Sequence, residues 1–349
     1  MKLIYDDTQE QLIEELMAKG EKKFRAVQVF EWLYRKLVVS FDEMNNLSLD
    51  LRQKLKECYD VGPLYIREKQ VSRDGTIKYL FELRDGGLIE SVLMIHDYGR
   101  SLCVTCQLGC NMACRFCASG LLKKQRNLTA GEMVNQVLSV MHDTGDKITH
   151  VVIMGTGEPF DNYDEVMNFI HIINHPKGLA IGARHITLST CGLCDKIEMY
   201  AHEGIQSNLA ISLHAPNDDI REVLMPINKR YPMDQLRKSL EYYIKNTNRR
   251  VTFEYILLKG INDDVTHARQ LAHYMKGLNA YVNLIPYNAV DEHGYQQSSP
   301  RNVEAFKAEL LRLKINVTQR KEHGRDIDGA CGQLRAKKVG GEHENHSNE

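Results

Sequence analysis

The rhythm of apolar positions changes near residue 100. Before it, Leu12, Ile13, Leu16 and Met17 recur at helical spacing, and Val27, Phe30, Leu33 and Tyr34 repeat the pattern. This predicts amphipathic helices within residues 1 to 60. Between residues 62 and 96 the period shortens. Ile77-Lys78-Tyr79-Leu80-Phe81-Glu82-Leu83 alternates and Asp85-Gly86-Gly87 forms a turn, so short strands are expected. Beyond residue 100, apolar runs recur at intervals of roughly 20 to 40 residues. They are Val151 to Met154, His185 to Leu188, Leu209 to Leu213, Val251 to Tyr255, Val282 to Ile285 and Ile315 to Thr318. Helical patterns such as Val166, Met167, Ile170 and Ile173 lie between most of them. Strand and helix in alternation predict βα units on a parallel sheet, and six such strands are fewer than the eight of a closed barrel.

Three regions follow: an accessory domain over 1–95, an α/β core over 96–334, and a polar tail over 335–349 that reads as disordered. In parallel α/β folds the ligand site lies past the C-terminal strand ends. Gly155-Thr156-Gly157-Glu158-Pro159, Ser189-Thr190, His214 and Asn288 fall there. Glu158-Pro159 also reads simply as a helix start, and His214 as a satisfied histidine at a strand end.

No stretch approaches the ~18 consecutive apolar residues of a membrane span. The start of the chain lacks a signal peptide's apolar run, so a cytoplasmic protein with no membrane partner is expected. In a reducing compartment, clustered cysteines suggest metal binding or catalysis. Five of the nine cysteines fall between residues 103 and 117. Cys110, Cys114 and Cys117 form a CxxxCxxC loop, a spacing expected by chance in well under about one chain in a hundred. Three thiolates leave one iron of a four-iron cluster without a protein ligand, open to a cofactor that presents an amine and a carboxylate. The bland reading is a structural zinc site with Cys103 or Cys106 as fourth ligand, or with the distant Cys191-x-x-Cys194 pair.

CxxxCxxC opening a βα barrel resembles the radical S-adenosylmethionine (SAM) signature. More narrowly, residues 10 to 338 resemble the RNA adenine C2 methyltransferases of the RlmN type and their C8-methylating relatives of the Cfr type. The resemblance rests on Lys23-Phe24-Arg25-Ala26, Ile89-Glu90-Ser91-Val92, Gly155 to Phe160, Ile211 to Asn217, Leu224 to Asn228, Asn283 to Pro286, and Asp326 to Leu334. It implies a radical SAM partial (βα)6 barrel of the α/β class with a small N-terminal helical/β accessory domain that binds RNA. It implies a [4Fe-4S] cluster on Cys110, Cys114 and Cys117, and two SAM molecules per turnover. Gly157 and Glu158 would meet the SAM amino group. Ser189 and the Ser212-Leu213-His214 stretch would meet its ribose and carboxylate, and Asn288 its adenine or ribose. Cys331 would carry a methyl as S-methylcysteine, Cys103 would be a second mobile cysteine that forms a disulfide with it, and Glu90 would accept a proton.

The chemistry gives these parts a purpose. An adenine C2–H is neither acidic nor nucleophilic, so polar methyl transfer would be very slow, and a radical removes the need for nucleophilicity. Methylation of a Cys331 thiolate is ordinary covalent catalysis, and the disulfide is reset by reductant. Against this, Cys331 could be a buried small hydrophobe, although Gly329 and Gly332 flank it and suggest a loop. Cys103 could be a strand-buried thiol. Cys106, Cys191 and Cys194 depart from the family pattern and read as incidental thiols.

The expected partners are ribosomal RNA, transfer RNA as a further substrate, and an electron donor such as flavodoxin or ferredoxin, with the chain a monomer. A net charge of −1 and a pI near 6.9 neither support nor exclude RNA binding, so local patches must carry it. Lys123, Lys124 and Arg126 follow the cluster loop. Lys22, Lys23, Arg25, Arg35 and Lys36 interleave with Trp32 and Tyr34 on the second helix. Such a run is more often a solvated helix face. Proline at position 159 favours the C2 over the C8 group. A zinc-stabilised RNA-binding protein without catalysis is the reading of another class.

Overall fold

The computed structural model describes residues 1–121, 123–288, 293–324, 326–328 and 334–335. Ten strands form its main sheet: β1 (Tyr65–Val71), β2 (Ile77–Glu82), β3 (Leu88–His96), β4 (Gly99–Cys103), β5 (His150–Ile153), β6 (Ile186–Thr190), β7 (Asn208–Ser212), β8 (Val251–Leu257), β9 (Ala280–Pro286) and β10 (Val317–Gln319). They lie in chain order across the sheet. β1 to β4 pair antiparallel, and β4 to β10 all pair parallel.

Each parallel step is crossed by a helix. α4 (Ala130–Thr144) follows β4, α5 (Tyr163–Asn174) follows β5, and α6 (Cys194–Tyr200) follows β6. α7 (Asp218–Leu224) and α8 (Met233–Thr247) follow β7, α9 (Val265–Met275) follows β8, and α10 (Pro300–Arg312) follows β9. This gives the expected (βα)6 unit, with β10 added at the edge. The set of strands differs at one end from the set the pattern predicts. β4 leads directly into the cysteine-rich stretch and was not among the predicted runs, while the run at 315–318 is the extra seventh parallel strand.

Alternation decides which side chains make the core. Leu188, Ile211 and Phe253 are buried against the outer helices, while their neighbours Ser189, Ser212 and Glu254 face the interior and line cavities. The helices are punctuated locally. Thr129 and Glu132 make a reciprocal capping box at the start of α4, which ends on Gly145 in the left-handed region.

The N-terminal region is three helices, α1 (Gln9–Ala18), α2 (Lys23–Arg35) and α3 (Leu49–Cys58), and the turn Ile4–Asp6 before them packs onto α4. Asp6 accepts the Gly131 N–H at 2.8 Å and the Asn135 amide donates to the Gly62 carbonyl at 2.9 Å. β1 to β3 continue the main sheet, so no sheet boundary falls at residue 95.

After β10 the chain crosses back over this antiparallel extension. The Gly324 N–H donates to Asp74 at 3.0 Å, the Arg73 N–H to Asp326 at 3.1 Å, and the Asp328 N–H to Gln70 at 3.0 Å. Residues 336–349, most of the expected tail, lie outside the described residues. Arg335 does not behave as tail, because it is buried. Among the described residues no helix is long and apolar enough to cross a membrane.

Candidate active site

A cavity of about 310 Å³ lies at the C-terminal strand ends, and Cys110, Cys114 and Cys117 all line it. The loop that carries them is held by its own backbone. Ala113 takes a left-handed φ of 53°, the Cys117 N–H donates to the Cys114 carbonyl at 3.2 Å, and the Gly120 N–H to the Cys117 carbonyl at 3.0 Å. The Arg115 N–H anchors it on the Leu224 carbonyl at 2.9 Å. Burial pushes the Cys110 thiol up to about 11, with Cys117 adding to the effect, and raises Cys114 as well.

Three cysteines lining one cavity suit a polynuclear centre, in which each cysteine binds a different iron. Cys106 and Cys194 supply no fourth ligand. The Cys106 thiol is buried and turned to the Thr156 carbonyl at 3.8 Å, and the Cys194 thiol turns to the Gly192 carbonyl at 3.7 Å. Cys191 does line the cavity. The residues present therefore fit a cluster held by Cys110, Cys114 and Cys117.

The predicted cofactor residues mostly gather on the same cavity. Gly157, Glu158, Ser189, Ser212, His214 and Asn288 line it. Gly157 has φ +118°, and a Cβ there would come within 2.8 Å of the Cys106 sulfur, so the close approach needs glycine. Glu158 meets both of its readings. It caps the short helix Pro159–Asn162 by accepting the Phe160 N–H at 3.0 Å, and it accepts the Cys191 N–H at 2.7 Å. Burial raises its carboxyl above the usual range. The Ser189 and Ser212 hydroxyls lie 3.3 Å apart across adjacent strands.

His214 takes a left-handed φ of 55°, and its Nδ1 accepts the Ile256 N–H at 3.1 Å, which leaves Nε2 to carry the proton. Burial lowers its pKa to about 3, so the ring is a neutral donor at physiological pH. Leu213, between Ser212 and His214, has its side chain in the core, its N–H donates to the Glu254 carbonyl at 3.1 Å and its carbonyl accepts from Arg221.

Cys103 also lines the cavity, but as the last residue of β4 it is paired with Val92 on one side and Val152 on the other. The expected mobile cysteine thus stands at the end of a paired strand. Cys331 lies outside the described residues, as do Gly329 and Gly332. Its described flanks are informative. Glu90 on β3 is buried and ion-paired at 3.0 Å with Lys78 on β2, which is also buried. The Lys78 ammonium donates to the Asp328 carbonyl at 2.6 Å, and Glu90 accepts the Arg335 N–H at 2.6 Å. One buried pair thus holds the chain on both sides of Cys331. Glu90 shares a strand face with Val92 and Met94, which line the cavity.

Sequence reasoning missed Lys78, which looked like a polar residue in an alternating strand. It also missed Arg221, a fully buried guanidinium whose Nη2 donates to the Cys191 carbonyl at 2.6 Å and whose Nη1 donates to Asn228 at 2.9 Å. Arg221 ties the ends of β6 and β7 together beneath the cavity. Its position four residues after Asn217, at the edge of a quoted motif, was the available signal.

The expected RNA patches change most. Lys124 pairs with Asp161 at 2.7 Å, and Arg126 pairs with Glu132 and Asp85, each at 2.7 Å. Tyr34 is buried in the core, and the Trp32 indole donates to Asn46 at 2.6 Å. Lys22, Lys23, Lys36 and Lys123 remain exposed.

The Radical SAM superfamily model matches residues 104–272, which defines the class as that of radical SAM enzymes. The Ribosomal RNA large subunit methyltransferase N-terminal domain matches residues 4–61. A Streptococcus gordonii protein described as "Probable dual-specificity RNA methyltransferase RlmN" is 55% identical over 341 residues, covering 95% of this chain and 94% of its own. A Spiroplasma citri protein of the same description is 54% identical, covering 97% and 99%. A crystal structure of a radical SAM methyltransferase from Sphaerobacter thermophilus superposes with a TM-score of 0.92 at 43% identity, covering 96% of this chain and all of that one. The chain belongs to the RlmN family of radical SAM methyltransferases.

Proposed function

We propose that the chain methylates C2 of an adenosine in RNA, with ribosomal and transfer RNA as substrates, through a methyl carried on Cys331. The observation that carries this reading is the shared setting of three elements. The cluster cysteines and Cys103 line one cavity, and the Lys78–Glu90 pair beside it holds both described flanks of Cys331.

Cys110, Cys114 and Cys117 would hold a [4Fe-4S] cluster, and with SAM bound this group supplies the one-electron chemistry that an unactivated C2–H requires. Gly157, Glu158, Ser189, Ser212, His214 and Asn288 would seat SAM. The neutral His214 offers a donor without adding positive charge. Cys331 would take a methyl by displacement. Glu90, fixed by Lys78 and by the Arg335 N–H, would receive the C2 proton. The Cys103 thiolate would attack the Cys331 sulfur, breaking its bond to the carbon by then attached to C2 and so releasing the methylated base, and reductant would reopen the resulting disulfide.

The test is nucleoside mass spectrometry after anaerobic incubation with unmodified ribosomal RNA, reductant and methyl-deuterated SAM. Labelled 2-methyladenosine is expected. Labelled 8-methyladenosine would move the chain to the C8 group, and the absence of any labelled nucleoside from protein with an intact cluster would overturn the reading.

A further inference from the structure

A second cavity, of about 780 Å³, opens at the other end of the parallel strands. Five of its lining side chains are Arg or Lys (Arg184, Arg249, Arg250, Arg320 and Lys321) and one, Glu254, is acidic. The whole chain carries a formal charge of −1, so this is a local concentration of positive charge. Arg184 precedes β6 and Arg249-Arg250 precede β8, so these three basic groups ring the N-terminal strand ends, opposite the cluster loop, while Arg320 and Lys321 follow β10 and line both cavities. Arg184, Arg250 and Lys321 are exposed, and none is ion-paired with a described carboxylate. Lys124 and Arg126 near the cluster loop are, by contrast, already neutralised.

Aromatic groups rim the same opening. The Arg250 guanidinium sits 4.2 Å over the Tyr281 ring. Tyr98, exposed, stacks on His96 with centroids 4.6 Å apart and meets His150 edge-on at 5.1 Å, and His150 stacks on His185 at 4.2 Å. Burial lowers the pKa of both His96 and His150, which favours them as neutral stacking faces. Cations beside ring faces are what single-stranded or flipped nucleotides need: charge for the phosphates and a platform for the bases.

The two cavities share a wall made of Met94, Met154, Glu254, Arg320, Lys321 and His323. Ser101 lines the basic mouth and Cys103 the cluster cavity. Two residues along β4 separate them, about 7 Å. A base entering from the mouth therefore comes within one nucleotide's reach of the Cys103 thiol.

Resting on the RNA methyltransferase reading above, we infer that the RNA strand docks on the basic, aromatic mouth at the N-terminal strand ends and presents its target base upward through the barrel. The cluster loop and the second helix are then not the principal phosphate-binding surface.

The test uses the cluster-loaded protein and a ribosomal RNA fragment that contains the target. Affinity is measured across a salt series for wild type and for a variant with Arg184→Gln, Arg249→Gln and Arg250→Gln, three groups that line the mouth and not the cluster cavity. A second variant, with Lys229→Gln on the turn between α7 and α8 and with Lys238→Gln and Lys245→Gln on α8, makes the same change in net charge. The mouth variant should bind at least about tenfold more weakly and lose about 2 from the slope of log K against log salt, near 0.7 per phosphate contact. Its iron content and SAM affinity should match wild type, and the outer variant should bind RNA as wild type does. Single substitutions should each take about a third of the slope change. Wild-type protein that binds no RNA would overturn the proposed function. Wild type that binds RNA, with a mouth variant of equal affinity and slope, would overturn this inference alone.

Discussion

Replacing Lys78 with Met is the most direct probe of the pair that holds the chain around Cys331. Lys78 is completely buried and Glu90 nearly so, 3.0 Å apart across adjacent antiparallel strands. Met keeps most of the side chain's volume and removes the charge. What remains is a buried carboxylate without the Lys78 ammonium, and an Asp328 carbonyl without the hydrogen bond Lys78 gave it. Breaking a buried pair in this way costs about 3 to 5 kcal/mol, most of it the cost of an uncompensated charge. Glu90→Gln removes the opposite charge while its amide oxygen still accepts the Arg335 N–H. The double variant should therefore recover part of the loss, with a coupling energy of about 1 to 3 kcal/mol. Urea unfolding of the four proteins completes the cycle. Limited proteolysis adds a local readout, because residues 328 and 335 are both anchored on the pair, and cleavage near them should rise in Lys78→Met. A single-variant cost below about 1 kcal/mol, or strict additivity in the double variant, would refute a buried bridge at this position.

Burial lifts the Glu254 carboxyl to about 7, against the opposing pull of Arg320 and the Asn283 hydrogen bond. The folded protein holds this proton more tightly than the unfolded chain. Stability should therefore fall as pH rises from about 4.5 to about 7, by about 3 kcal/mol in all. Glu254→Gln should remove that slope in urea titrations at pH 5 and pH 8, and a variant that keeps the wild-type slope would clear Glu254. Iron analysis of anaerobically purified protein should find the cluster lost in Cys114→Ala and kept in Cys106→Ala, whose thiol faces the Thr156 carbonyl instead of the cavity. Iron loss in Cys106→Ala alone would reverse that assignment.

Local rules made much of the core legible. The alternation of strand and helix gave the (βα)6 unit, because each parallel strand is covered by a helix and reads as a continuous apolar run. The CxxxCxxC spacing was readable because ligands of one centre sit close in sequence. Features that depend on long-range pairing were not. Lys78 sits in a strand whose middle residues are all buried, a pattern that alternation misreads as one wet face. Its partners are 12 and 250 residues away. The charge run after the cluster looked available for RNA until the fold supplied Asp161, Glu132 and Asp85 as neighbours of Lys124 and Arg126. The arginines of the basic mouth are dispersed over 138 positions from Arg184 to Lys321, so no window of sequence shows them together.

The strands β1 to β3 read as part of an accessory domain, yet their placement argues for a direct part in the site. The two family models cover residues 4–61 and 104–272. β1 to β3 lie in the gap between them, and the segment after β10 lies beyond both. These two stretches meet. Gln70, Asp74 and Lys78 bind Asp328 and Gly324, while Glu90 binds Arg335. On the function proposed above, a barrel core alone would present a cluster loop and a cofactor cavity but no cysteine to carry a methyl group between cofactor and base. The antiparallel extension adds a rigid shelf on the barrel's open edge, continuous with the strand that ends in Cys103. The returning chain is pinned on that shelf with Cys331 between its anchors. On this reading the difference between a generic radical SAM core and a methyl-transferring one lies in the contact between two segments more than 200 residues apart in sequence.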